Sequence, residues 1–227
     1  MFALQQAVTL YETYQAQIAA CDQQIAQYVA SVPAVTTEPC PTPAKPRQRT
    51  GNPFQFDAHA HVYRMTGVDL TRIDGIDVST ALTVVSEIGT DMRRWPTVKH
   101  FTSWLRLCPG TKKSGGRVLS SKTQPSANRA AAALRLAAAS LYRSRSALGA
   151  YLRRMSAKLG KAQAVTATAH KLARLVYSLL KHGGDYVDAG QDYYERHYRE
   201  RVVQNLTRRA KDLGFVLVPD APQEIVT

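Results

Sequence analysis

From Met92 to Gly184 the chain runs for 93 residues without an Asp or Glu, and the same span carries 19 Lys or Arg. Any fold of such a segment bears like-charge repulsion. A cost of this kind is usually tolerated when a phosphate backbone neutralises the field and releases its counterions. The remainder of the 227 residues holds 11 basic against 17 acidic side chains, which brings the formal net charge to +13. The block therefore points to a polyanionic partner. It also restricts the chemistry. Two-metal cleavage of a phosphodiester needs Asp or Glu oxygens to hold the cations, so a reaction carried out within this block needs another nucleophile and leaves no metal ligand set here.

The centre of the block is the stretch Cys108–Arg129, CPGTKKSGGRVLSSKTQPSANR. Ser114 is flanked by Lys112, Lys113 and Arg117 and followed by Gly115 and Gly116, which places its hydroxyl on an open loop that a phosphate can approach closely. A serine attacks phosphate when its proton is removed or its geometry enforced, and nearby cations stabilise the charge that develops. The local sequence supplies the cations but shows no base. Two readings fit these residues: a serine nucleophile, or a Gly-rich phosphate-binding turn with an incidental hydroxyl. Arg129, in the first turn of an Ala-rich helix that begins at Ser126 or Asn128, is the best phosphate clamp, because a guanidinium fork grips two oxygens and the helix dipole adds to the field. Lys122 is second. Both also fit as solvated surface charges.

The rest of the chain reads as helices. Leu4, Tyr11, Ile18 and Ile25 recur every seven residues, with Ala7, Tyr14, Cys21 and Tyr28 at the second seam position, so residues 1–31 read as a coiled-coil helix that pairs with a second copy. Residues 32–55 contain Pro33, Pro39, Pro41, Pro43, Pro46 and Pro53 together with Lys45, Arg47 and Arg49. They form an extended linker. Asp57, His59 and His61 resemble the start of a metal site on a strand, but the strands and further ligands such a site requires are missing. The segment instead enters the next domain.

Residues 56–184 then read as an all-α bundle. It opens with a helix-hairpin-helix-like turn, Asp74-Gly75-Ile76-Asp77, in which a helix capped by Ser79 buries Leu82, Val85 and Ile88. Asp77 stands where such turns carry a second glycine, and a carboxylate repels phosphate. Phosphate contact and a plain helix corner both remain open. Val98, Phe101, Trp104 and Leu105 follow on one face of a helix capped by Thr97. The alanine-rich helix carries Leu134, Leu136 and Leu141, residues 147–159 bury Leu148, Tyr151, Leu152 and Met155, and residues 161–181 bury Val165, Leu172, Leu175, Val176 and Leu179. His170 is a candidate base for Ser114 on its titration range alone, and equally a structural helix histidine. Residues 185–227 form a final helix, about 189–212, and a tail. Cys21, Cys40 and Cys108 show no CxxC spacing and read as reduced thiols. No apolar run reaches the roughly 20 residues needed to span a bilayer, so the expectation is a cytoplasmic, nucleoid-associated protein with no membrane partner.

The run GVDLTRIDGIDVSTALTVVSEIG (67–89), WPTVKHFTSWLRLCP (95–109), SGG (114–116), NRAAAALRLAA (128–138), ALGAYLRRMSAKLG (147–160) and AVTATAHKLARLVY (164–177) resembles the C-terminal transposase domain of the DEDD-type bacterial insertion-sequence transposases. The resemblance is collinear over about residues 55–210. It implies DNA transposition, with Ser114 as the nucleophile that becomes joined to DNA. It further implies that Lys112, Lys113, Arg117, Lys122, Asn128 and Arg129 bind nucleic acid, while Gly115 and Gly116 permit close approach. Members of the family carry a RuvC-like domain with a metal-binding acidic tetrad, a coiled-coil connector and a structured guide RNA. On that basis DNA and a guide RNA are the expected partners and Mg²⁺ belongs to the RuvC-like domain, which is missing from these residues. The chain would then be inactive alone. The alternative is a truncated, non-catalytic nucleic-acid-binding remnant.

Overall fold

A computed structural model describes residues 1–42 and 53–218. The linker residues Pro43, Lys45, Pro46, Arg47 and Arg49, and the end of the tail, lie outside them. The described chain is all-α but for one small hairpin, as the periodicity predicts. Its helices are α1 (Phe2–Ser31), α2 (Ala58–Thr66), α3 (Val78–Ile88), α4 (Val98–Trp104), α5 (Arg129–Ser140), α6 (Ala147–Leu159), α7 (Lys161–His182) and α8 (Gly190–Asp212). The hairpin, β1 (Lys112–Ser114) and β2 (Arg117–Ser120), stands between α4 and α5. No described helix is long and apolar enough to cross a membrane.

The core is built where the apolar stripes meet. α5 packs between α3 and α7, α6 lies along α7, and α4 closes the other side of α7. Phe101, Leu105, Leu134, Leu152, Leu172 and Val176 are fully buried at these contacts. Each such side chain contributes about 1.5–3 kcal/mol on leaving water. The Ala130, Ala131, Ala137 and Ala138 face of α5 is also buried, which lets its neighbours approach closely. Leu136, expected among that helix's apolar residues, points outward and is 73% exposed. It sits two residues beyond Leu134, on the far side of a 3.6-residue turn.

Caps fix the helix starts. Asp77, rather than Ser79, caps α3, its carboxylate accepting from the Thr80 N–H at 2.7 Å. Asn128 caps α5 through the Ala131 N–H at 2.9 Å, and Ser146 caps α6 through that of Gly149. The Thr97 hydroxyl makes no cap bond and pairs with His100 Nδ1 instead. Ahead of Gly75 stands a 3-10 turn, Leu70–Arg72. A side-chain methyl added at Gly75 would lie 2.7 Å from the Ala137 carbonyl and 3.1 Å from Leu141 Cγ. The corner is therefore packed on the bundle itself.

The acid-free block folds with few salt bridges. Among the described residues only Arg93, with Asp91, and Arg129, with Glu87, are ion-paired within it. Backbone carbonyls and aromatic faces take several of the other cations. Arg153 donates to the Tyr142 and Ser144 carbonyls at 3.0 and 2.7 Å, and Lys181 to that of Pro96 at 2.7 Å. The Arg154 guanidinium lies 3.7 Å from the Tyr198 ring centre and Lys171 Nζ 4.5 Å from that of Tyr151, joining α8 to α6 and α7. Such contacts leave positive charge uncancelled. Burial holds the Lys171 ammonium below its ordinary range, and Arg154, Arg174 and Arg201 push the same way.

α1 rests on the bundle along its last turns only. Val29 and Asp22 are buried, Asp22 Oδ2 accepts from the Gln55 N–H at 3.0 Å, and Arg64 donates to the Val29 and Ala30 carbonyls. Leu4, Tyr11, Tyr14, Ile25 and Tyr28 stay exposed.

Candidate nucleic-acid interface

Ser114 ends β1, and the turn that follows is Gly115-Gly116, with φ of 54° and 75°. Two successive positive φ values form the primed hairpin turn whose twist matches that of paired strands, and Gly-Gly is among its preferred sequences. The stretch expected as an open loop is consequently an antiparallel hairpin, in register Lys113↔Val118 and Ser114↔Arg117, with a bulge between Lys112 and Lys113. The Gly110 N–H closes its base on the Lys122 carbonyl at 3.0 Å. A methyl on Gly115 or Gly116 would meet nothing within 4 Å, so the tip stands in open space.

The cations of the hairpin are gathered around the serine. Arg117 is the direct cross-strand partner of Ser114, and Lys112 and Lys113 precede it on the same strand. All four are exposed, as are Val118 at 57% and Leu119 at 69%. A two-stranded hairpin of this length is marginal by itself in water. Its bare apolar pair and basic tip suit it to order against a partner. Among the described residues no hydrogen bond reaches the Ser114 hydroxyl, so no base is assembled on it within this chain. His170, the candidate base, lies half-buried on α7. Burial first, and Arg174 second, hold its imidazole below the ordinary range.

The remaining predicted residues divide between hairpin and α5. Lys122 lends its carbonyl to the hairpin base and exposes its side chain. The Asn128 side-chain carbonyl is committed to the α5 cap. Arg129 is 76% exposed, and its Nε lies 3.2 Å from Glu87 Oε2. A phosphate taken by Arg129 would therefore compete with a carboxylate from α3.

Sequence alone does not single out Arg106. Its φ of 53° makes it the one described non-glycine residue in the left-handed region, a conformation L-residues adopt only when the surroundings enforce it. Its guanidinium donates to the Pro125 carbonyl at 2.9 Å and so ties the end of α4 to the segment leading into α5. Between them lies a groove of about 610 Å³ lined by Ser103, Trp104, Arg106, Pro125, Ser126 and Asn128. The cause of the Arg106 conformation is local: its N–H bonds to the Ser103 carbonyl at 2.9 Å and the Leu107 N–H to that of Thr102 at 3.1 Å, the helix stop in which the residue after the cap takes the left-handed region. Asp57, His59 and His61 fall on α2 and its cap rather than on a strand. Among the described residues no group of three His, Cys, Asp or Glu side chains is placed to hold a metal ion.

The described chain is thus a helical body whose acid-free segment carries a projecting basic hairpin. Residues 50–153, somewhat under half of the chain, match the model of the transposase IS116/IS110/IS902 family. The matched stretch begins ahead of α2, reaches into α6 and includes the hairpin. The match supports a transposase domain here, with DNA transposition as its activity class and DNA as its partner. No curated protein matches the chain.

Proposed function

We propose that this chain is the serine-bearing, nucleic-acid-binding part of a transposase, in which Ser114 attacks a DNA phosphodiester and becomes joined to it. The observation that carries the reading is the hairpin tip: a serine on a Gly-Gly turn, fully in solvent, with Lys112, Lys113 and Arg117 about it. Attack by the hydroxyl oxygen on phosphorus would form a phosphoserine bond and release the leaving strand's oxygen, conserving the bond for strand exchange. The lysines and arginines would offset charge on the phosphoryl oxygens. Among the described residues no base stands on Ser114, and a proton acceptor outside this chain completes the reading. A RuvC-like domain holding Mg²⁺, and a structured guide RNA that supplies base specificity, complete the proposed assembly. Pairing of two α1 helices through the uncovered Leu4, Tyr11, Ile25 and Tyr14, Tyr28 seam would set two such hairpins side by side.

That no base stands on Ser114 among the described residues favours one second reading, a nucleic-acid-binding module without chemistry. Both readings require phosphate binding by the hairpin. Affinity for duplex DNA, measured against salt, should fall in slope by roughly 2–3 when Lys112, Lys113 and Arg117 are all changed to Gln, at about 0.9 for each phosphate no longer neutralised. An unchanged slope would remove the hairpin from the interface and with it both readings.

A further inference from the structure

The groove between the end of α4 and the segment leading into α5 lies at the root of the hairpin. Ser103, Trp104 and Arg106 stand on one side of it and Pro125, Ser126 and Asn128 on the other. The chain between the two sides closes on itself where the Gly110 N–H meets the Lys122 carbonyl. Ser114 follows Gly110 by four residues, which is at most about 14 Å of extended chain. A strand held at the hairpin tip can therefore lay a neighbouring nucleotide in the groove.

The chemistry of the lining is one-sided. Trp104 is anchored on the core, its ring centre 5.0 Å from that of Trp95 and 6.5 Å from that of Phe101, and the part of it left uncovered lines the groove. Among the described residues no hydrogen bond reaches its indole N–H. The exposed Arg106 guanidinium spends Nη1 on Pro125 and has its other N–H groups free. Asn128 uses only its side-chain carbonyl, on the Ala131 N–H, so its amide hydrogens are free as well. Indole and guanidinium donate and never accept. An aromatic surface, unspent donors and one positive charge thus meet in a groove that no carboxylate lines.

We infer that this groove takes one unpaired nucleotide of the strand that the hairpin holds, its base on Trp104 and its phosphate on Arg106; the inference rests on the hairpin binding nucleic acid. A nucleotide brings a flat ring and an excess of acceptors, in its base carbonyls and phosphate oxygens, and so answers each of the free groups. A peptide brings an N–H for nearly every carbonyl and would find few partners for them here. Within a duplex the faces of each base are covered by its neighbours, so only a nucleotide drawn out of the stack presents a face to the indole. Held in this way, the strand would be fixed in register beside Ser114.

Tryptophan emission reads the contact directly, because Trp104 is one of two tryptophans and the other, Trp95, is buried. Thymidylate and uridylate oligomers of about 12 nucleotides, and the thymidylate strand paired with its complement, are titrated onto the chain, with binding followed separately by the anisotropy of a label on the nucleic acid. Bound single strands should quench the Trp104 share of the emission and the duplex should not; the oligomer that quenches more deeply identifies DNA or RNA as the source. Trp104→Phe should lose the quench while keeping most of the affinity, since an aromatic ring remains. Arg106→Gly gives the helix stop its preferred residue, so the fold is kept, and it should lower the salt slope of single-strand binding by about 0.7, the share of one phosphate. Single strands that bind without quenching, a duplex that quenches equally, or an unchanged slope in Arg106→Gly would each overturn the groove and leave the hairpin reading in place. No salt-sensitive binding of either form would overturn both.

Discussion

Gly149→Ala sets helix propensity against packing and lets the structure choose the sign. Gly149 lies in the first turn of α6, where alanine is favoured over glycine by about 1 kcal/mol. Sequence alone therefore predicts stabilisation. In the structure Gly149 is buried, and a methyl there would lie 2.9 Å from the Leu141 carbonyl oxygen and closer still to that of Ser144. Both are backbone atoms, and the Ser144 carbonyl is held by Arg153 at 2.7 Å. Neither can swing aside as a side chain would. Overpacking of this kind costs about 1–3 kcal/mol, and with unyielding backbone on two sides the upper end applies. Less the helix gain, the net loss is about 2 kcal/mol, or roughly 4–8 °C in Tm for a chain of this size. Thermal unfolding followed by helical circular dichroism measures it. A Tm equal to or above that of the native protein would refute the close approach of α6 to the 141–146 turn.

Two further outcomes follow from single residues. Gly75→Ala should destabilise by about 2–4 kcal/mol, since φ of +87° and the 2.7 Å contact with Ala137 act together; the salt slope of DNA binding should stay unchanged, and a lowered slope at native stability would place the turn on DNA. His170 has its pKa lowered on folding, so between the folded and unfolded values the unfolded state binds more protons and stability rises with pH. Its contribution is complete above the ordinary imidazole range and declines as pH falls through it. Urea denaturation of His170→Gln should show a shallower loss of stability across that window than the native protein, and parallel curves would refute the assignment.

The bundle was legible because its signals are local. Apolar residues at 3.6-residue spacing located α6 and α7 to within a residue, since Leu148 and Leu152, or Leu172, Val176 and Leu179, have one face to bury and one bundle to bury it in. The hairpin was missed although Gly115-Gly116 is a strong turn signal, because the three- and four-residue strands on either side lack an apolar alternation to announce them. The cap of α3 went to Asp77 over Ser79 because a carboxylate two residues earlier already satisfied the first free N–H groups. Other features were beyond local reading altogether. The Glu87–Arg129 ion pair joins residues 42 apart in sequence, and the Arg106–Pro125 hydrogen bond residues 19 apart. Cys40 and His59 meet only because the segment after α1 folds back over α2. Charge pattern singled out the basic block, but interatomic distances alone revealed which of its cations are already engaged.

The central claim is that the Ser114 hydroxyl breaks the strand. The direct measurement is peptide mapping of the covalent protein–DNA product formed when this chain is combined with DNA carrying the element's own ends, a guide RNA and a RuvC-like domain. The expected product is a phosphodiester-linked nucleotide on Ser114, lost in Ser114→Ala while salt-sensitive binding persists. An adduct on another residue, or strand exchange undiminished in Ser114→Ala, would contradict it; binding with no adduct at all would leave the chain a module without chemistry.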